Sequence, residues 1–230
     1  LKEKVVLAWS GGKDSAMALH ALLKSGRYDV VSLLTTVCEQ NERISHHGVR
    51  VALLKQQAEA IGINLHELYL PGANCSMEDY EAAMEKVMLE YKEKGILTVA
   101  FGDIFLQDLR EYRQRNLTKV GMRAIFPIWH RDTAEIVRTF IDLGFRAYLT
   151  CVDSEKLGKT FAGRQIDADL IRDLPNRVDP CGENGEFHSY VYDGPIFRNP
   201  INLSVGKVVM RDVRHFVDLV PIQKRIMKHI

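Results

Sequence analysis

Val5-Val6-Leu7-Ala8-Trp9-Ser10-Gly11-Gly12-Lys13-Asp14-Ser15 decides the fold. An apolar run passes into a glycine pair, then Lys13, Asp14 and Ser15, and a helical pattern begins at once. The apolar residues do not alternate with polar ones, so the run reads as a strand buried on both faces, as in a parallel sheet. The glycines let the backbone turn tightly and come close to a ligand. A helix starting there points its unpaired N–H groups back at the loop, an anion site to which Lys13 adds a full positive charge. A phosphate chain suits that chemistry.

Outward from this stretch the same alternation repeats. Ala16, Leu19, Leu22 and Leu23 recur at helical spacing until Gly26 supplies a stop. Val30 to Val37 reads as a second buried strand, followed by a polar loop from Glu39 to His47. Val51, Leu54, Ala58 and Ile61 make a helical stripe closed by Gly62, and Leu65 to Leu70 a third strand. Ser76 with Asp79 three residues on predicts a capped helix carrying Met84, Val87, Met88 and Tyr91. Leu97 to Phe101 is a fourth strand ending in Gly102-Asp103; a charged helix runs to about Lys119, and Ala124 to Phe126 is a fifth strand before Pro127. Alternating strands and helices predict a parallel α/β sheet of Rossmann-like type. Ligands on such sheets sit at the carboxyl ends of strands near the switch point, so Ser10, Val37 and Gly102 are predicted to converge on one pocket.

Beyond Pro127 the pattern changes. A helix over Asp132 to Leu143 and a strand over Arg146 to Val152 precede a short polar helix near Asp167 to Asp173. Then comes an acidic, glycine-rich run, Asp179-Pro180-Cys181-Gly182-Glu183-Asn184-Gly185-Glu186-Phe187-His188. Tyr190 to Asp193 is a strand and the tail reads as β structure. The boundary between a larger parallel-sheet domain and a smaller α+β domain falls near Trp129, giving 1–128 and 129–230.

The 230 residues carry a net charge of +1, with 46% hydrophobic and 27% charged residues. This is an ordinary globular composition with no global electrostatic case for nucleic acid. No apolar run approaches a membrane span, and the first strand starts almost at residue 1, so a cytoplasmic protein is expected. Cys38, Cys75, Cys151 and Cys181 form no C-x-x-C pair. They are expected to be free thiols rather than zinc ligands or a redox dithiol.

The loop is not a Walker A sequence. Lys13 is followed by Asp14 rather than Ser or Thr, and Leu7 stands where the first glycine would be. Ser10-Gly11-Gly12-Lys13-Asp14-Ser15 resembles instead the PP-loop of the ATP pyrophosphatases, which cleave ATP between the α and β phosphates. Together with Gly182-Glu183-Asn184-Gly185-Glu186-Phe187-His188, it resembles the diphthine–ammonia ligase family, the DUF71 branch of that group. His47, Gly102-Asp103 and Pro127-Ile128-Trp129 fall where the family has corresponding residues, and the likeness runs to about Pro200. Asn184 and His188 depart from it, standing where the diphthamide members carry Gly and a carboxylate. That pattern is similar to a sister branch with a Gly-Glu-Asn-Gly-Glu-Phe-His motif.

The resemblance implies a PP-loop ATP-binding domain over 1–128 and a substrate and ammonia domain over 129–230. It also implies an ATP-dependent ligase that adenylates a carboxylate and passes the acyl group to ammonia or an amine. Loop N–H groups of Gly11 and Gly12, with Lys13, would hold pyrophosphate, and Ser10 and Ser15 would donate hydroxyl hydrogen bonds. Thr35, Thr36 and Val37 would meet adenine; His47, Gly102 and Asp103 complete the nucleotide set. Asp14 would hold Mg²⁺ or cap the helix. Glu183, Glu186 and His188 would hold ammonium, orient an amine or act as general base. The acceptor would be diphthine on elongation factor 2 or a small carboxylate, with ammonia supplied from outside; a homo-oligomer is compatible with the sequence.

Plainer readings stand beside these. Asp103 also suits an N-cap of the next helix, and Arg110, Arg113 and Arg115 suit a solvated face. The acidic run also suits a solvated turn with a β-bulge, and Cys181 is a neighbour rather than a nucleophile. RNA thiolation and an ATP sensor without turnover are the competing functions. The first lacks sulfur-carrying cysteine pairs and a basic surface, while the second has no use for a second acidic motif.

Overall fold

The computed structural model describes residues 1–40, 43–44, 48–71 and 75–222; His47 lies outside them. β1 (Glu3–Ala8) is the central strand of the first sheet. It pairs in parallel with β2 (Tyr28–Cys38) on one side and β5 (Thr98–Ala100) on the other. Beyond them lie β4 (Leu65–Leu70), parallel to β2, and β6 (Arg123–Ile125), parallel to β5. The two-residue β3 (Arg43–Ile44) pairs antiparallel with the end of β2. The parallel strands thus run β4-β2-β1-β5-β6, and the order reverses at β1, where a ligand crevice is expected.

Both faces of this sheet are covered, which explains the unbroken apolar run of β1. Val5, Leu7 and Trp9 point into a core built with α1 (Lys13–Ser25), α2 (Val51–Ile61) and α5 (Thr133–Asp142). Val6 and Ala8 point into the opposite core with α3 (Met77–Glu93) and α4 (Gln107–Lys119). The local signals hold. Gly26 and Gly62 end α1 and α2 in the left-handed conformation. Ser76 and Asp79 form a reciprocal capping box on α3. Asp132 caps α5 by accepting from Glu135 N at 2.8 Å.

The second sheet is antiparallel throughout, in the order β8 (Phe187–Asp193), β7 (Arg146–Asp153), β10 (Arg214–Pro221), β9 (Leu203–Arg211). A short α6 (Ala168–Asp173) lies in the β7–β8 connection. β8 begins three residues earlier than the sequence predicts, so His188 and Ser189 belong to a strand rather than to the acidic turn. The apolar core runs without a break from α1 to this sheet: Leu149, Val152, Tyr190 and Val191 share it with Leu7 and Leu19. The two sheets are also stitched by hydrogen bonds. Val191 N donates to Gly11 O at 2.9 Å and Arg198 N to Ala60 O at 2.8 Å. Tyr190 Oη donates to Leu53 O at 2.9 Å. Among the described residues no helix is long and apolar enough to cross a membrane.

Candidate active site

The loop between β1 and α1 forms the floor of a cleft of about 420 Å³, within the range of small-molecule sites. Gly11 takes a φ of +76°, a backbone state that side chains resist. Gly12 stands at the N-cap with no side chain to cap the helix, so the first turn of α1 faces the cleft without a competing side-chain acceptor from that position. Its own N–H reaches Ser10 Oγ at 3.3 Å, and Ser10 Oγ lies 3.3 Å from Ser15 Oγ. Ser15 Oγ also donates to Gly12 O at 2.9 Å, which holds the loop against the helix.

Gly102 is required by close approach. A Cβ there would lie 2.9 Å from the carbonyl carbon of Asp14 and 3.0 Å from Ser15 N. Only glycine lets the end of β5 rest on the first turn of α1. Ser10 and Gly102 therefore meet in the cleft as the sequence predicts. Val37 does not. Its side chain is fully buried between β3 and β4, where it pairs with Ile44 and Tyr69, and Thr35 and Thr36 line the cleft in its place. Thr35 is 2% exposed and its Oγ1 has no partner among the described residues, an orphaned polar atom facing the site.

Three charged residues are paired inside the protein, and of these Asp14 and Asp103 line the cleft. Lys13 is 1% exposed and lies outside the cleft lining; its ammonium pairs with the Asp14 carboxylate. Burial is the largest single influence on Lys13 and works against its charge, but Asp14 and Cys181 beside it together hold its pKa above the lysine range. Asp14 itself does not cap the helix, a place Gly12 takes; its carboxylate pairs with Lys13 and lines the cleft. Asp103 is not an N-cap either, since Leu106 holds that position in α4. It pairs with Arg113 through two contacts, Nε–Oδ2 at 2.7 Å and Nη2–Oδ1 at 3.1 Å. Arg113 also lies 4.3 Å over the Phe101 ring, and Arg110 4.5 Å over Trp129, so neither is a simple solvated charge.

The acidic turn reaches the same cleft from the second sheet. Asp179 organises it, its Oδ2 accepting from Cys181 N and Glu183 N, each at 3.0 Å. Gly182 takes a φ of +70° where a Cβ would strike the Phe187 carbonyl at 2.9 Å. The turn delivers Glu183 across the cleft, where Oε1 accepts from Ile104 N at 2.8 Å, just past Gly102. Burial first, helped by the nearby Asp14 and Asp103 carboxylates, pushes the Glu183 carboxyl up to about 7 against that N–H bond and the Lys13 charge. His188 lines the cleft from β8, opposite Cys151 in β7.

Glu186 does not join them. It is 2% exposed and outside the cleft lining, and its Oε1 accepts from Asp179 N and Asn184 Nδ2, both at 3.2 Å. Asn184, the departure in the motif, thus holds the buried carboxylate that keeps the turn closed. Cys181 lines the cleft, but burial raises its thiol to about 12 and it donates to Thr133 O at 3.2 Å. A protonated thiol is a poor nucleophile.

The sequence reading missed residues that act at a distance. Ser189 Oγ accepts from Lys13 N at 3.0 Å, so a residue of β8 satisfies the first N–H of α1. Gln57, fully buried, binds both Trp9 and the loop. The apolar wall of the cleft, with Tyr80, Met84, Phe101, Leu106 and Leu109, comes from α3, α4 and the segment between β5 and α4. Tyr80 and Met84 share a helical stripe that reads equally well as core.

Comparisons with known proteins point one way. Residues 3–124 match the family described as the diphthamide synthase N-terminal domain, and residues 132–225 the diphthamide synthase C-terminal domain. Diphthine–ammonia ligase of Homo sapiens is 24% identical over 93% of this chain and 87% of its own length. Diphthine–ammonia ligase of Danio rerio is 23% identical over 90% of this chain and 89% of its own. A solved structure of the U34-tRNA thiolase NcsA from Methanococcus maripaludis with its [4Fe-4S] cluster shares 14% identity. It covers 61% of this chain and 57% of its own with a TM-score of 0.38, too distant to carry an argument.

Proposed function

The chain belongs to the diphthamide synthase family, and we propose that its cleft is where a carboxylate is activated by ATP and then converted to an amide. The protein is an ATP-dependent amide ligase of the ATP pyrophosphatase type. The carboxylate oxygen attacks the α-phosphorus and pyrophosphate leaves; ammonia then attacks the acyl carbon, AMP leaves, and the nitrogen gives up a proton. The observation that carries the site assignment is that Glu183 and the first turn of α1 face one cleft although they come from opposite ends of the chain.

Each role follows from placement. The N-terminus of α1, with Ser10 and Gly12, binds the departing pyrophosphate, and Lys13 sets positive charge beneath it behind Asp14. Thr35 and Thr36 take the adenine side. Glu183, poised near neutrality, accepts the proton released as ammonia attacks, and His188 flanks the acyl group. Glu186 supports the turn. Mg²⁺, supplied with ATP, would be held by the Asp14 carboxylate, which lines the cleft, together with the substrate phosphates.

The acceptor we assign is diphthine, the substrate in the names of the relatives, carried in our reading on elongation factor 2, with a small carboxylate as the alternative. A cytoplasmic location agrees with four free cysteines. We place the domain division between β6 and α5, at residue 128. The test is release of AMP that requires both a carboxylate and ammonium. ATP bound without turnover over a panel of both would restore the sensor reading.

A further inference from the structure

Gln57 lies in the middle of α2, fully buried, with both polar atoms of its amide hydrogen-bonded. Its Oε1 accepts from the Trp9 indole at 2.9 Å. Its Nε2 donates to Gly11 O at 2.9 Å and to Val191 O at 2.6 Å. Val191 N donates to the same Gly11 carbonyl at 2.9 Å. One side chain thus joins the end of β1, the phosphate loop and β8 of the second sheet.

The bond to Gly11 has a geometric consequence. A trans peptide sets its C=O and its N–H on opposite sides. With the Gly11 carbonyl drawn toward Gln57 and Val191, the Gly12 N–H must point the other way, where it meets Ser10 Oγ at the cleft. A flipped peptide would present an oxygen to an anion where a donor now stands. Such a flip turns the ψ of Gly11 and the φ of Gly12, and glycine at position 12 makes it sterically cheap because both signs of φ are open to it. Gln57 also fills the space above Gly11, where a Cβ would lie 2.6 Å from Oε1.

We propose that Gln57 is a positioning residue that locks the Gly11–Gly12 peptide with its N–H facing the phosphates, and ties that orientation to the docking of β8. The proposal rests on the reading of the cleft as an ATP site. Gln57 touches no substrate and acts only through the loop. Its loss should therefore weaken ligands that carry phosphates and spare those that do not.

The experiment is calorimetric titration of the full chain with ATP, inorganic pyrophosphate and adenosine, for wild type, Gln57→Met and Gln57→Glu. Met keeps the volume and deletes all three hydrogen bonds; Glu keeps the shape and sets carboxylate oxygens against two carbonyls. The expected result is a loss of about 10- to 100-fold in affinity for ATP and pyrophosphate, as for a misplaced donor to a charged group, with adenosine within about 2-fold. Equal weakening of ATP and adenosine, with or without loss of a cooperative melt, overturns the proposal and makes Gln57 a core residue only. Unchanged ATP affinity in both variants also overturns it. Wild type that binds neither ATP nor pyrophosphate overturns the ATP-site reading and this proposal together.

Discussion

Glu183→Gln separates what the site costs from what it does. The side chain keeps its shape, and its carbonyl oxygen can still accept from Ile104 N, so the change removes only the ionisable proton. In the folded protein the carboxyl releases its proton at about 7, raised from the ordinary 4.5 by burial first and by Asp14 and Asp103 beside it. Between those values the folded state binds more protons than the unfolded chain, so this group lowers stability as pH rises from 4.5 to about 7. At about 1.36 kcal/mol per pH unit, the interval amounts to about 3 kcal/mol. Above pH 7 the loss is complete and constant; below 4.5 it is absent. The Gln variant should match wild type near pH 4. Near pH 8 it should be more stable by about 3 kcal/mol and melt about 6 °C higher, for a chain of this length. Urea titrations at intervals from pH 4 to 8 measure the difference. Parallel stability curves for the two proteins at every pH would refute the burial argument. The same variant should form amide about 100-fold more slowly, as for a lost general base. In wild type, hydroxamate formation with hydroxylamine, divided by the fraction of hydroxylamine present as the free base at each pH, should rise with pH and level off above about 7. A variant as fast as wild type would remove Glu183 from the reaction.

The other predictions follow from contacts in the floor. Lys13→Ala should abolish ATP turnover and also lower stability by about 2 kcal/mol, because it leaves the partly exposed Asp14 carboxylate beside the helix without its cation. Melting curves and AMP release measure the two effects, and an unchanged rate of AMP formation would contradict the phosphate-loop assignment. Gly102→Ala should cost about 1–3 kcal/mol and weaken ATP, since its methyl would press on the Asp14 backbone at 2.9 Å. An unchanged dissociation constant and melting point would show that β5 can retreat from α1 freely.

Much of the fold is legible because its signals are local. Gly26, Gly62, the Ser76–Asp79 box and the Asp132 cap each act within one helical turn, and the buried run of β1 announces a strand covered on both faces. The site was legible only as far as its motifs. Ser10, Gly12, Asp14, Ser15 and Glu183 do share a cleft. Which way each side chain turns was not written locally. Lys13 and Asp14 are sequence neighbours that the helix brings together, so the ammonium is satisfied inside the protein. Glu183 and Glu186 look equivalent in the sequence, but the turn around Asp179 sends one to Ile104 and folds the other inward. Ser189 and Lys13 stand 176 residues apart, and no periodicity links them. Gln57 sits in a helix whose apolar stripe hides it, and its role appears only when β8 packs on the loop.

The central claim is that a carboxylate oxygen attacks the α-phosphorus. The direct measurement uses acceptors labelled with ¹⁸O in the carboxylate, among them elongation factor 2 bearing diphthine, with ATP, Mg²⁺ and ammonium. Mass spectrometry then reads the nucleotide product. The account predicts AMP carrying one ¹⁸O, formed together with pyrophosphate and one amide. ADP with inorganic phosphate, or AMP free of ¹⁸O, would contradict it.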